Sequence, residues 1–137
     1  MNFVTIITDD DPVIHFLHKM IVMNCGLSKN PLSFFSAKET MEYLDQHHGS
    51  KQSMLILLDI NMPEMNGWQF LDMLDERGLE TIYVIIVSSS VNEDDRRKSD
   101  LYRRVIGYLE KPISETTLKT LLNKSQSKMA MKIQTQS

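Results

Sequence analysis

Met54-Leu55-Ile56-Leu57-Leu58-Asp59-Ile60-Asn61-Met62-Pro63 is the stretch on which the reading of this chain turns. Five apolar residues run without interruption and stop at a carboxylate. No polar residue alternates with them, so both faces of the segment must be covered, the pattern of an interior strand in a parallel sheet. A few residues on, Asn66-Gly67-Trp68-Gln69 opens an amphipathic helix carrying Leu71 and Leu74. Strand, short acidic loop and helix in that order begin a βαβ unit.

The same alternation extends in both directions. Upstream lie Phe3-Val4-Thr5-Ile6-Ile7-Thr8 and the weaker Pro31-Leu32-Ser33-Phe34-Phe35; downstream lie Ile82-Tyr83-Val84-Ile85-Ile86-Val87 and Val105-Ile106-Gly107-Tyr108-Leu109. Between them sit helical patterns with recognisable starts. Asp11-Pro12 supplies an N-cap and a first-turn proline, and behind it Ile14, Leu17, Ile21 and Val22 share one helical face. Ser36-Ala37-Lys38-Glu39 reads as a capping box ahead of Met41 and Leu44. Ser114 can cap a last helix with Leu118, Leu121 and Leu122. Asn92 to Asp100 is polar nearly all round, and a helix there is marginal on its own account. Strands alternating with helices predict an α/β fold, a doubly wound parallel sheet with right-handed crossovers and helices on both faces. Chemistry in such folds gathers just beyond the carboxyl ends of the strands.

Size and composition agree with one domain. A chain of 137 residues can bury roughly two-thirds of the surface its unfolded form exposes. Apolar residues make up 42% and charged residues 24%, ordinary for a globular protein. A net charge of -3 gives no electrostatic case for nucleic acid as a direct partner. No apolar run approaches the ~18 residues of a membrane span, and no signal peptide precedes the first strand, so a cytoplasmic location is expected. The single cysteine, Cys25, lies in an apolar stretch and is expected to be a buried, reduced thiol. Residues 125–137 are polar and short of core residues; they are expected to finish the last helix and then lose order.

The residues after each strand define the site. They are Asp9, Asp10 and Asp11; Asp59, Ile60 and Asn61; Ser88, Ser89 and Ser90; and Glu110, Lys111 and Pro112. Asp9, Asp10 and Asp59 would come within several ångströms of one another, a repulsive arrangement that Lys111 alone cannot neutralise. A hard divalent cation with oxygen ligands is the natural remedy. Asp10 and Asp59 would ligate directly, Asp9 through water, and the Asn61 backbone carbonyl would be a third protein ligand. A carboxylate is a competent nucleophile toward a phosphoryl donor, and such a transfer asks the protein mainly for alignment and charge neutralisation. The cation, Lys111 and Ser88 can each take one phosphoryl oxygen.

Asp9-Asp10, Asp59 with Asn61-Met62-Pro63 and Gly67, Ser88, then Tyr108 and Lys111-Pro112 together resemble the receiver domain of two-component response regulators, from about residue 3 to 124. The resemblance implies a flavodoxin-like sheet of five strands in the order 2-1-3-4-5, flanked by five helices. It implies a phosphorelay role: phosphorylation of Asp59 by a sensor histidine kinase or histidine phosphotransfer protein, dependent on Mg²⁺ (or Mn²⁺). It also implies a switch in which Ser88 and Tyr108 reorient together, and a Lys111-Pro112 bond that is often cis. Ser89 stands where the family has a smaller residue, and Asn61 and Ser90 occupy positions that influence the lifetime of the phosphorylated state. With 1–124 as the receiver and no output domain expected after it, the chain resembles single-domain receivers. These are phosphoacceptors rather than enzymes, limited to self-phosphorylation and self-dephosphorylation. The expected signal is read by a partner protein on the face of the fourth helix, fifth strand and fifth helix.

Two other functions compete. A degenerate receiver would keep the fold as an unphosphorylated interaction module. A haloacid-dehalogenase-type phosphohydrolase would use Asp9 as nucleophile and its second neighbour, Asp11, as acid; it leaves Asn61-Met62-Pro63 unexplained. The remaining conspicuous residues read as structural. Asp11 caps a helix; His15 with His18, and His47 with His48, are surface or helix-end residues. Arg96-Arg97-Lys98 with Arg103-Arg104, among Glu93, Asp94, Asp95 and Asp100, is a solvated face. Trp68 and the ten methionines serve packing.

Overall fold

The computed structural model describes residues 4–47, 52–89 and 92–136. Five parallel strands, β1 (Val4–Thr8), β2 (Leu32–Phe34), β3 (Met54–Asp59), β4 (Ile82–Ser88) and β5 (Val105–Glu110), form one sheet in the order β2-β1-β3-β4-β5. The helices are α1 (Pro12–Asn24), α2 (Ala37–His47), α3 (Gly67–Glu76), α4 (Glu93–Ser99) and α5 (Glu115–Gln136).

The central strands explain the layering. Every residue of β3 and β4 is buried. Their even-numbered side chains, Met54, Ile56 and Leu58 with Ile82, Val84 and Ile86, pack with Met41 and Leu44 of α2 and Phe70, Leu71 and Leu74 of α3. The odd-numbered set, Leu55, Leu57, Tyr83, Ile85 and Val87, packs with Val22 of α1 and Leu118 of α5. Period-two alternation of strand side chains thus feeds two separate cores from one unbroken apolar run.

Caps set the helix starts. Asp11 accepts from Val13 N at 2.9 Å ahead of Pro12. Asn66 and Gln69 form a reciprocal capping box, each side chain accepting the other's backbone N–H at 2.9 Å. Ser36 caps α2 through Glu39 N, but the Glu39 carboxylate takes the N–H of Phe35, one residue earlier than the predicted box requires. α4 is short, with Asn92 accepting from Asp94 and Asp95 N.

Several packing expectations are corrected. The buried face of α1 carries His15, His18 and Val22, with Ile14 and Ile21 half-buried, while Leu17 is exposed beside Val13, Phe16, Met20 and Met23. His15 and His18 are therefore interior residues, not surface ones. His47 does end its helix exposed, with Nδ1 bonded to Tyr43 O; His48 lies outside the described residues. Arg104 is buried, not solvated: its guanidinium bonds Asp75 at 2.9 Å and the carbonyls of Leu79 and Ile82 at 2.6 and 3.1 Å. Cys25 is half-buried, and that burial pushes its thiol up, so it is a poor nucleophile. α5 runs from Glu115 to Gln136, so the last helix extends into the polar tail. Among the described residues, no helix is long and apolar enough to cross a membrane.

Candidate functional site: an acidic cluster at the carboxyl edge of the sheet

Parallel strands deliver their carboxyl ends to one edge, and β1 and β3 are neighbours. Thr8 pairs with Leu58, so the next residues along, Asp9 and Asp59, arrive side by side. One oxygen from each of Asp9, Asp10 and Asp59 can be chosen so that all lie within 4.8 Å of one another. Asp9 and Asp59 are each only 2% exposed, whereas Asp10 faces solvent.

The two buried carboxylates are held in the same way. Asp9 Oδ1 accepts from Asp11 N at 2.9 Å, and Asp59 Oδ1 accepts from Asn61 N at 3.0 Å. Their other oxygens converge on the Lys111 ammonium, 3.0 Å from Asp9 Oδ2 and 3.2 Å from Asp59 Oδ2. Lys111 is carried there by β5, across the sheet, and its backbone N–H bonds the carbonyl of Ser88 at 2.8 Å. The Lys111-Pro112 bond is cis. The predicted strand-end cluster of Asp9, Asp10, Asp59 and Lys111 is therefore assembled.

The electrostatics are those of an over-charged acidic site. Burial pushes the Asp59 carboxyl up to about 6, and the Asp9 charge adds to this; the Asn61 N–H and the Lys111 ammonium pull the other way without prevailing. Burial alone would lower the Lys111 pKa, but its hydrogen bond to Asp9 and the charges of Asp59 and Asp9 outweigh it and hold the ammonium above the ordinary lysine value. Three carboxylates thus face one ammonium. An all-oxygen donor set with excess negative charge and one solvent-facing side fits a small hard divalent cation.

The remaining predicted residues fall around this centre. Ser88 ends β4, is 1% exposed and pairs in register with Glu110. Asn61 is exposed, one residue beyond Ile60. Tyr108 is buried on the α3 side of β5, with the Arg96 guanidinium of α4 5.4 Å from its ring centroid. Ser90 lies outside the described residues. Gly67 has a geometric reason for its place: a Cβ there would come within 2.9 Å of Ile60 Cα and 3.0 Å of Asp59 O. The start of α3 thereby packs directly against the backbone that presents Asp59, and Gly67 N bonds Ile60 O at 2.9 Å.

Sequence reasoning missed two features. His15 Nε2 lies 2.7 Å from the Asp9 carbonyl, and His18 Nε2 accepts from Ile113 N at 3.2 Å. A signal was present, because positions 15, 18 and 22 share a helical stripe, but α1 is apolar on its other sides as well. The second is the mooring of α4 and the segment after it. Lys98 Nζ sits 4.7 Å from the Trp68 ring centroid, Trp68 stacks on Tyr102 at 5.9 Å, and the Tyr102 hydroxyl donates to Asp72 at 2.8 Å.

Comparison with known proteins agrees with this geometry. The family model described as "Response regulator receiver domain" matches residues 4–123. The chain belongs to the response regulator receiver domain family, signalling domains of two-component systems, and its fold is the flavodoxin-like one of that family. It is 30% identical over 124 residues to the probable methanogenesis regulatory protein FilR2 of Methanothrix harundinacea, covering 80% of this chain and 79% of that one. Similarity to the two-component response regulator ARR22 of Arabidopsis thaliana is 29% over 119 residues, 86% and 80% of the two chains. Among solved structures, a two-component response regulator from Cytophaga hutchinsonii superposes with a TM-score of 0.81 at 26% identity, covering 90% of this chain and 96% of that one. The receiver domain of a LuxO repressor protein from Vibrio parahaemolyticus gives 0.82 at 20% identity over 100% and 99%, a likeness of fold.

Proposed function

We propose that this protein is a phosphoacceptor of a phosphorelay, taking a phosphoryl group onto Asp59 from a phosphohistidine on a sensor kinase or phosphotransfer protein. A single observation carries the reading: two buried carboxylates, Asp9 and Asp59, share one lysine while the exposed Asp10 stands within reach of both.

Asp59 is the nucleophile. Its Oδ2 forms a bond to phosphorus as the bond from phosphorus to the donor nitrogen breaks, and the departing imidazole keeps the electron pair and takes up a proton from solvent. Near neutral pH the Asp59 carboxyl is mostly ionised, so no general base is required. Lys111 holds Asp59 in line before the transfer and neutralises a phosphoryl oxygen after it; the Ser88 hydroxyl takes another. Asp10, Asp59, the Asn61 carbonyl and, through water, Asp9 would hold Mg²⁺, which when bound supplies positive charge to the phosphoryl oxygens.

The product adds charge at the sheet edge. Ser88 and Tyr108 reorient toward it and shift α4, β5 and the start of α5, where a downstream protein reads the change. The cytoplasm is the compartment that fits such a relay.

Mass spectrometry after incubation with acetyl phosphate and Mg²⁺ tests the reading. One phosphoryl group on Asp59, absent from Asp59→Asn, is the expected result. Phosphate on Asp9 would mark a dehalogenase-type hydrolase, and no phosphate at all a degenerate receiver.

A further inference from the structure

α1 turns two histidines inward, toward the site, and each bonds a different arm of it. His15 is 4% exposed, and its partner at 2.7 Å is the Asp9 carbonyl. A carbonyl only accepts, so the His15 Nε2 carries the proton and donates. One helical turn along, His18 is 1% exposed and its Nε2 accepts the Ile113 N–H. That nitrogen must therefore be unprotonated. Burial drives the His18 pKa down to about 4 against the raising effect of the Asp9 charge, with smaller contributions from Lys111 and His15 on the side of burial, so the acceptor form prevails near neutral pH.

Ile113 lies two residues beyond Lys111, across Pro112, which has no N–H to give. Ile113 is itself 5% exposed, so an apolar side chain at position 18 would leave a buried donor orphaned. A closed circuit results. The Asp9 carbonyl is tied to His15, His15 to His18 through one turn of α1, His18 to Ile113, and the Ile113 segment to Lys111, whose ammonium returns to the Asp9 carboxylate at 3.0 Å.

We propose that His15 and His18 are positioning residues for phosphoryl acceptance, a two-imidazole strut on α1 that fixes the loop carrying Lys111 relative to Asp9 and hence to Asp59. This rests on the reading of Asp59 as phosphoacceptor and assigns α1 a part in it. Neither histidine touches the reacting atoms. His18 governs where the ammonium stands; His15 governs where the end of β1 stands.

The test separates this from simple packing. His18→Leu keeps the volume and loses the acceptor, while His18→Gln restores an oxygen near the Nε2 position. Acetyl phosphate with Mg²⁺ should phosphorylate His18→Leu about tenfold more slowly than wild type, and His18→Gln should recover most of that loss. Equal rates for wild type and His18→Leu, or a His18→Gln as slow as His18→Leu, would overturn the proposal. A readout on the unmodified, metal-free protein keeps the idea testable should the variants fold poorly. Imidazole nitrogen NMR near neutral pH should show His18 with Nε2 unprotonated and His15 with Nε2 protonated. The opposite tautomers would refute the circuit. Failure of wild type to accept phosphate, with those tautomers in place, would instead strike at the function proposed for Asp59.

Discussion

Lys111 Nζ stands 3.2 Å from Asp59 Oδ2, contributed from the far side of β4 by a strand that does not touch β3. The contact joins the proposed phosphoacceptor to a cation already in place, so on that reading acceptance needs little rearrangement of the protein. Lys111→Met should slow phosphorylation by acetyl phosphate by about a hundredfold. It should also raise the Asp59 pKa above about 6, because one of the two groups opposing burial is gone. Carboxyl carbon NMR titration reads the second effect, and an unchanged titration would separate Lys111 from Asp59 electrically.

The raised carboxyl of Asp59 makes a statement about stability. Its folded-state pKa of about 6 exceeds the ordinary value of 3.8, so the fold binds this proton more tightly than the unfolded chain does. The corresponding stability is complete below about pH 4 and is lost as pH rises through about 6. In metal-free buffer, Asp59→Asn should therefore stabilise the protein by about 3 kcal/mol near neutral pH and hardly at all below pH 4. Urea unfolding at the two pH values measures it. Mg²⁺ should stabilise wild type more than the variant.

Gly67→Ala tests the close approach behind Asp59. The added methyl would meet Ile60 Cα at 2.9 Å, and these are backbone atoms that cannot swing aside. A loss of about 1–3 kcal/mol is expected from the forced backbone shift. Phosphorylation should slow in step, because the displaced carbonyl belongs to Asp59. Unfolding free energy and labelling rate unchanged together would show that the helix start can move freely.

Arg104 anchors the start of β5 from inside. Arg104→Met keeps the stem but leaves the Leu79 and Ile82 carbonyls without the guanidinium. Leaving buried acceptors unpaired should cost about 1–3 kcal/mol, visible by urea unfolding at any salt concentration. A loss that vanished in high salt would point to the Asp75 ion pair alone.

Among the described residues, Arg96 over Tyr108 and Lys98 over Trp68 tie α4 to the strands and helix beside it. A beryllofluoride phosphoryl mimic with Mg²⁺ should change amide exchange between Asn92 and Leu109 while leaving β3 unaltered. Identical exchange in that segment would count against the route through Tyr108.

The strands, the helix caps and the acidic edge were legible because each has a local sign, whereas the order 2-1-3-4-5 came from the family resemblance. Apolar runs with no alternation mark doubly covered strands, and parallel pairing sends their ends to one edge, so Asp9, Asp59, Ser88 and Lys111 could be listed together from sequence. The inner face of α1 was not legible. Val13, Phe16, Leu17, Met20 and Met23 offer as apolar a stripe as the one that is buried, and periodicity says that a face exists without saying which one turns inward.

The amino-acid sequence by itself determined the α/β alternation, the helix starts at Asp11 and Asn66, and which carboxylates reach the same edge of the sheet, since all follow from nearest-neighbour preferences and strand direction. Only the tertiary structure decided that His15, His18 and Arg104 are interior. Their partners, the Asp9 carbonyl, Ile113 N–H and the Leu79 and Ile82 carbonyls, are backbone groups that nearly every residue carries, whatever its side chain. A buried polar side chain is tolerated where it satisfies such a group, and which backbone group stands opposite is known only once the strands and helices have packed.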